Sequence, residues 1–362
     1  MKAEMQSLVE HWINPEIRAI SAYHVANATG LVKLDAMENP YVWPKALQNE
    51  WASLLSSVDI NRYPDPHAAG LKQRLRNSMG IPEEMSLLLG NGSDEIIQMI
   101  IMALAGPGRT VLSVDPGFVM YRMISTFCGM KYYGVPLKAD DFSLDTQALL
   151  EAMEQHNPAV VFLAYPNNPT GNLFAEADLI KIIEAAPGLV VIDEAYAPFT
   201  DATFMGHLGN YDNLVVMRTL SKMGLAGLRL GYLVGSSVWL DEFDKVRMPY
   251  NINVLTQVSA DFALKHLDVL DQQTETIRSD RQALFDELSA LEGVTPYSSE
   301  ANFILVKTPQ GRAAEIFEGM KQLGVLIKKL DGAHPLLADS LRLTIGTSEE
   351  NGACIEALAK QL

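Results

Sequence analysis

A unit repeated along residues 86–235 constrains this chain more than anything else in it: a short apolar, β-rich run, then a turn of polar, Gly or Pro residues, then in most cases a helix-length segment. The apolar runs fall at residues 86–89, 110–114, 131–135, 160–164, 189–192, 214–217 and 229–234. Several carry apolar residues at successive positions, a pattern that needs cover on both faces of a sheet. Strand–helix alternation of this kind predicts an α/β fold whose large domain has a mostly parallel central sheet covered by helices. The clearest helix is 94–105, closed by Gly106-Pro107-Gly108.

After Pro249 the pattern changes. Residues 255–291 read as long helical segments, and strands at 302–307 and 341–345 flank helical stretches near 313–323 and 349–361. That is a smaller α+β C-terminal domain. The expected division is an N-terminal arm (1–40) with a short helix near 15–22, a large domain (41–250) and a small domain (251–362).

In a parallel sheet, ligands bind beyond the carboxyl ends of the strands. Five turns follow a predicted strand directly: Asn91-Gly92-Ser93-Asp94, Asp115-Pro116-Gly117-Phe118, Tyr165-Pro166-Asn167-Asn168-Pro169-Thr170-Gly171, Asp193-Glu194-Ala195-Tyr196 and Thr219-Leu220-Ser221-Lys222. They converge on one edge and therefore on one site. Singly, each has a plain alternative. The first could be a turn and helix cap; Asn168-Pro169-Thr170-Gly171 is a good β-turn sequence; Lys222 could be a surface lysine. Asp193, ending a buried strand, needs a cap, a cation or a ligand as partner. Arg229, between Leu228 and Leu230, is hard to place without an anion nearby.

Charge and composition narrow the partners. The formal charge of −16 argues against nucleic acid, whose phosphates need a basic face. No apolar run approaches the roughly 18 residues of a membrane span, and the first twelve residues lack a signal peptide's apolar stretch. Two cysteines, Cys128 and Cys354, supply neither a disulfide framework nor a metal-ligand spacing. A cytoplasmic protein acting on small molecules is expected. Gly90-Asn91-Gly92 lacks the third glycine of a dinucleotide fingerprint, which disfavours a dehydrogenase.

Taken together and in order, Asn-Pro-Thr-Gly, Asp-Glu-Ala-Tyr, Ser-Lys and the Arg of Gly227-Leu228-Arg229-Leu230-Gly231 resemble the fold-type I pyridoxal-phosphate aminotransferases over nearly the whole chain. The resemblance implies pyridoxal 5′-phosphate as cofactor, an electron sink for the substrate carbanion. By it, Lys222 holds the cofactor and moves the substrate proton, and Asp193 pairs with the ring nitrogen. Tyr196 and Asn168 bond the ring oxygen, and Phe118 stacks on the ring face. Ser93, Asp94, Ser221 and Arg229 cup the phosphate at a helix N-terminus.

A narrower resemblance is to the histidinol-phosphate aminotransferases. It rests on Ala22-Tyr23-His24-Val25, on Glu38-Asn39-Pro40-Tyr41, on Asn61-Arg62-Tyr63-Pro64 and on Leu341-Arg342-Leu343-Thr344-Ile345-Gly346-Thr347. It implies histidinol phosphate and glutamate/2-oxoglutarate as substrates and a homodimer, with Tyr63 reaching the partner's cofactor phosphate. Arg342 would receive the distal anion of the substrate, Lys328 would help as a point charge, and Tyr23 and Asn39 would line the pocket. Lys328-Lys329 stands where the family often has a second arginine, and the stretch from Lys222 to Arg229 is one residue shorter than in many members, so its turn must differ. An aromatic aminotransferase or a threonine-phosphate decarboxylase-like enzyme is the rival of the same fold. A non-catalytic regulator is the rival of another class, disfavoured by the lack of a basic DNA-binding segment.

Overall fold

The computed structural model describes residues 2–22 and 25–362. Seven strands form the central sheet, hydrogen-bonded in the order Ser86–Asn91, Leu230–Gly235, Leu214–Thr219, Leu189–Asp193, Val160–Ala164, Thr110–Asp115, Lys131–Pro136. Only Leu230–Gly235 runs against the rest. Each strand begins within a residue of its expected start, because each is a short apolar run bounded by turn residues.

Both faces of the sheet are covered, as the uninterrupted apolar runs require. On one face Val160, Phe162, Val191 and Val215 pack against Ile96, Ile97 and Ile100 of helix Gly92–Leu104. On the other, Val161, Leu163, Val190 and Ile192 pack with Leu149, Leu179, Ile182 and the helix residues Ala260 and Leu264. Strands Val160–Ala164 and Leu189–Asp193 are buried at every position. Their sequences consequently lack the alternation of a half-exposed strand.

The second core belongs to the chain's last third. Strands run in the order Lys328–Lys329, Ser340–Thr344, Phe303–Lys307, Thr295–Pro296, all antiparallel. Ile277, Leu284 and Leu288 of the 24-residue helix Leu267–Ala290 pack on Phe303, Leu341 and Leu343. Leu270, near the start of that helix, belongs to the core of the central sheet, so one helix ties the two cores together. The N-terminal arm is tied into the fold by more than its short helix. Val32–Lys33 pairs in parallel with Val325–Leu326, and Leu34, 1% exposed, enters the second core. Residues 34–37 are thereby fastened to the small sheet, with Met37 N–H donating to Thr344 Oγ1 (3.0 Å) and Asn302 Nδ2 to the Met37 carbonyl (3.0 Å).

Candidate active site

Six strands of the central sheet end at one edge, and the seventh, running the other way, begins there. The turns after Asn91, Asp115, Ala164, Asp193 and Thr219 therefore meet Arg229, which immediately precedes Leu230. They enclose a cavity of about 380 Å³. Its lining includes Ser93, Asp94, Phe118, Asn168, Asp193, Tyr196, Ser221, Lys222 and Arg229, every residue expected at the cofactor except Tyr63.

Asp193 closes a buried strand and is 3% exposed. Its Oδ2 accepts from the Tyr121 hydroxyl (2.6 Å) and its Oδ1 from the Ala195 N–H (3.1 Å). Among the described residues no cation pairs with it. Burial pushes the carboxyl up to about 6, against the two hydrogen bonds that favour its anion. Nothing in the local sequence singles out Tyr121. It is fully buried one helical turn after Phe118, meets the Phe118 ring edge-on (5.4 Å between centroids) and stacks on Phe162 (4.8 Å). The i, i+3 spacing was legible; the hydroxyl's destination, 72 residues away, was not.

Lys222 lies on the turn after strand Leu214–Thr219. Its Nζ is 3.4 Å from the Ala36 carbonyl and 5.7 Å from the centre of the Tyr196 ring. Burial, then the nearby Arg342 guanidinium, lower its ammonium to about 8, so the neutral amine is within easy reach. The short connection to Arg229 is a wide π-type turn at Ser221–Leu225 followed by a 3₁₀ turn at Ala226–Leu228. Gly224 carries φ +115°, and a Cβ there would meet the Asn39 amide at 3.0 Å, so glycine alone suits this turn.

The anion cup is built at the start of helix Gly92–Leu104. Arg229 (φ +49°) brings Nη2 to 3.4 Å from Asp94 Oδ2. Its guanidinium lies over Gly92, where a Cβ would stand 2.7 Å from Nη2. First-turn N–H groups and a guanidinium facing one space suit a phosphate. Ser221 (6% exposed) completes that wall, its Oγ accepting from Thr219 Oγ1 (2.9 Å).

Asn168 joins two parts of the site. Its Nδ2 donates to the Tyr196 hydroxyl (3.0 Å), and its Oδ1 accepts from Arg342 Nη1 (2.7 Å). Arg342 is 6% exposed, reaches the Asp35 carbonyl through Nη2 (3.0 Å) and lies over the Phe303 ring. Lys328 sits directly opposite Arg342 in the antiparallel pair, which places both cations on one face of the sheet, though neither lines the cavity: Arg342 lies behind Asn168. Asn39 does not line it either. Its amide donates to Gln273 (3.1 Å) and to the Met223 carbonyl (3.3 Å), pinning the Lys222 turn to helix Leu267–Ala290. Tyr63, 81% exposed, stacks on Tyr250 and does not line the cavity. Tyr23 lies outside the described residues.

A pyridine ring with a phosphate arm fits these residues: a buried carboxylate without a cation stands on one wall, a lysine amine of lowered basicity on another, and an anion cup at the end. The family model for aminotransferase class I and II matches residues 29–358. "Histidinol-phosphate aminotransferase 2" of Nitrosococcus oceani is 55% identical over 350 residues, 97% of each chain. "Histidinol-phosphate aminotransferase" of Chromobacterium violaceum is 51% identical over 98% of this chain and 99% of its own. The crystal structure of histidinol-phosphate aminotransferase from Sinorhizobium meliloti in complex with pyridoxal-5′-phosphate shares the fold at TM-score 0.84, with 24% identity and 97% of each chain covered. With its turns gathered on one cavity and its length matched almost throughout, the chain belongs to the aminotransferase class I and II family.

Proposed function

We propose that the protein is a pyridoxal-phosphate-dependent histidinol-phosphate aminotransferase, exchanging an amino group between L-histidinol phosphate and 2-oxoglutarate. The observation that carries the chemistry is one cavity lined by the Lys222 amine and the buried Asp193 carboxylate, with the buried Arg342 behind its wall and bonded to the lining residue Asn168. The substrate is carried by the names of relatives that match at about half identity over nearly their full length.

When bound, pyridoxal phosphate supplies a ring that accepts the electron pair left at the substrate Cα. The chain supplies the rest. Asp193, oriented by Tyr121 and the Ala195 N–H, presents a full negative charge to the ring nitrogen. Lys222, with its proton affinity lowered, takes and returns the proton at Cα. Tyr196 and Asn168 would hold the ring oxygen, and Phe118 would lie against the ring. Ser93, Asp94, Ser221 and Arg229 hold the phosphate. Arg342 receives an anionic group of either substrate, since its fork fits two oxygens of a phosphate or a carboxylate. Lys328, on the same face, adds a point charge. A homodimer in the cytoplasm, with Tyr63 reaching the partner's phosphate cup, completes this reading; no described helix is long and apolar enough to cross a membrane.

The test is a half-reaction screen. Purified enzyme loaded with cofactor is mixed singly with histidinol phosphate, glutamate, phenylalanine and threonine phosphate, and the loss of cofactor absorbance is followed. Fast reaction with the first two is expected. A large preference for phenylalanine or threonine phosphate overturns the substrate, and no reaction with any amine overturns the chemistry.

A further inference from the structure

Among the acidic groups lining the cavity, Asp193 and Asp94 are assigned above to the ring nitrogen and the phosphate cup. The third is Glu38. It is carried by the N-terminal segment fastened to the small sheet. That segment offers the Asp35 carbonyl to Arg342 and the Ala36 carbonyl to Lys222. Glu38 therefore shares the cavity with the reacting Lys222 amine, three residues along the chain from the carbonyl that holds Arg342.

Its carboxylate is about half exposed (49%) and is paired with Lys33, which also lies 3.3 Å from Asp35 Oδ1. A carboxylate is a poor lining for a site that accepts phosphates and carboxylates, because like charges repel. It is a good lining for a ring bearing an N–H, because a carboxylate is an acceptor only and a charged acceptor makes the stronger bond. Histidinol phosphate has three recognisable parts. Its amine would take the place of the Lys222 amine on the cofactor and its phosphate would go to Arg342, which leaves the imidazole without a partner on the walls so far assigned.

We propose that Glu38 determines donor specificity by accepting the imidazole N–H of the amino donor, and that Lys33 neutralises Glu38 when a donor without a ring occupies the cavity. The proposal rests on the histidinol-phosphate reading above. The pair explains how one cavity takes both an imidazole phosphate and a dicarboxylate. With the ring present, Glu38 turns its acceptor to the ring N–H; with glutamate, the Lys33 ammonium offsets the repulsion between Glu38 and the distal carboxylate.

The experiment uses cofactor-loaded full-length enzyme and three donors: histidinol phosphate, the ring-free 2-aminobutyl phosphate, and glutamate. In Glu38→Gln, kcat/KM for histidinol phosphate relative to 2-aminobutyl phosphate is expected to fall roughly 10- to 100-fold, mostly through KM, as the loss of one charge-assisted hydrogen bond predicts. The glutamate reaction should rise, and Glu38→Asp should recover part of the lost ratio. Lys33→Ala should act with the opposite sign, lowering the glutamate reaction more than that of histidinol phosphate. If Glu38→Gln leaves the ratio unchanged, or lowers all three donors together, Glu38 does not read the ring. If the wild type turns over glutamate but not histidinol phosphate, the substrate reading itself falls and takes this assignment with it. The wild-type measurement, made first, separates the two failures.

Discussion

Replacing Asp193 by Asn in the cofactor-stripped protein tests the electrostatics of the site apart from catalysis. In the fold the carboxyl ionises near 6, against an ordinary 3.8, chiefly because it is buried. At pH 8 it is ionised whether the chain is folded or not. The native state then carries a cost of 2.303RT times that gap, about 3 kcal/mol. At pH 5 the unfolded carboxyl is ionised and the folded one mostly is not, and the same relation gives about 1.5 kcal/mol. The sign follows from the folded value lying above the unfolded one: the cost is absent below the unfolded value and complete once pH has risen through the folded one. Asparagine is neutral throughout and keeps the local bonds, with Oδ1 on the Ala195 N–H and Nδ2 donating to the Tyr121 hydroxyl, which can also accept. Stripped Asp193→Asn should therefore be more stable than stripped wild type, by about 1.5 kcal/mol at pH 5 and about 3 kcal/mol at pH 8. Urea unfolding followed by circular dichroism at the two pH values reads this directly. With cofactor bound the order should reverse, and transamination should fall by several orders of magnitude, as losing a central electrostatic partner does elsewhere. A stability difference that does not grow between pH 5 and 8, or that favours the stripped wild type, would refute the reasoning.

Removing the Tyr121 hydroxyl (Tyr121→Phe) deletes the bond that favours the Asp193 anion. The pH range over which the stripped protein loses stability should then extend further upward from the same lower limit, and in loaded enzyme kcat should fall while KM for the donor changes little. Arg342→Ala should weaken both half-reactions by roughly 2–4 kcal/mol in kcat/KM, since a buried charged partner is lost; sparing of both substrates would remove Arg342 from the site. Gly92→Ala places a Cβ 2.7 Å from Arg229 Nη2 at φ +77°. It should destabilise the fold by about 1–2 kcal/mol and shed cofactor on gel filtration, whereas wild-type retention would show that the guanidinium can move without loss.

Much of the fold could be read locally. Strand Val160–Ala164 and its neighbour Leu189–Asp193 announce themselves as uninterrupted apolar runs because both faces are buried. Helix Gly92–Leu104 is marked by its preceding turn and closing Gly-Pro-Gly. The positions of Lys222 and Asp193 follow from the same logic: turns at the carboxyl ends of parallel strands share one edge, so their residues meet whatever the details of packing. Arg229 joins them for another reason, because it precedes the one strand that runs the other way and starts at that edge.

What local pattern could not supply was the identity of partners far apart in the chain. Asn39, expected to line the pocket, instead spans 234 residues to Gln273 and braces the Lys222 turn. The two-residue strand Val32–Lys33 is too short for any periodicity, and only its partner Val325–Leu326 makes it a strand. Tyr121 reads as one more buried aromatic until the fold brings Asp193 within 2.6 Å, and Asn168 reads as a turn residue until Arg342, 174 residues on, reaches it. The sequence by itself determined which elements form and which turns share an edge, because strand burial and turn chemistry act over a few residues. The tertiary structure decided which groups touch within that edge, because a hydrogen bond depends on tenths of an ångström summed over the packing of two cores.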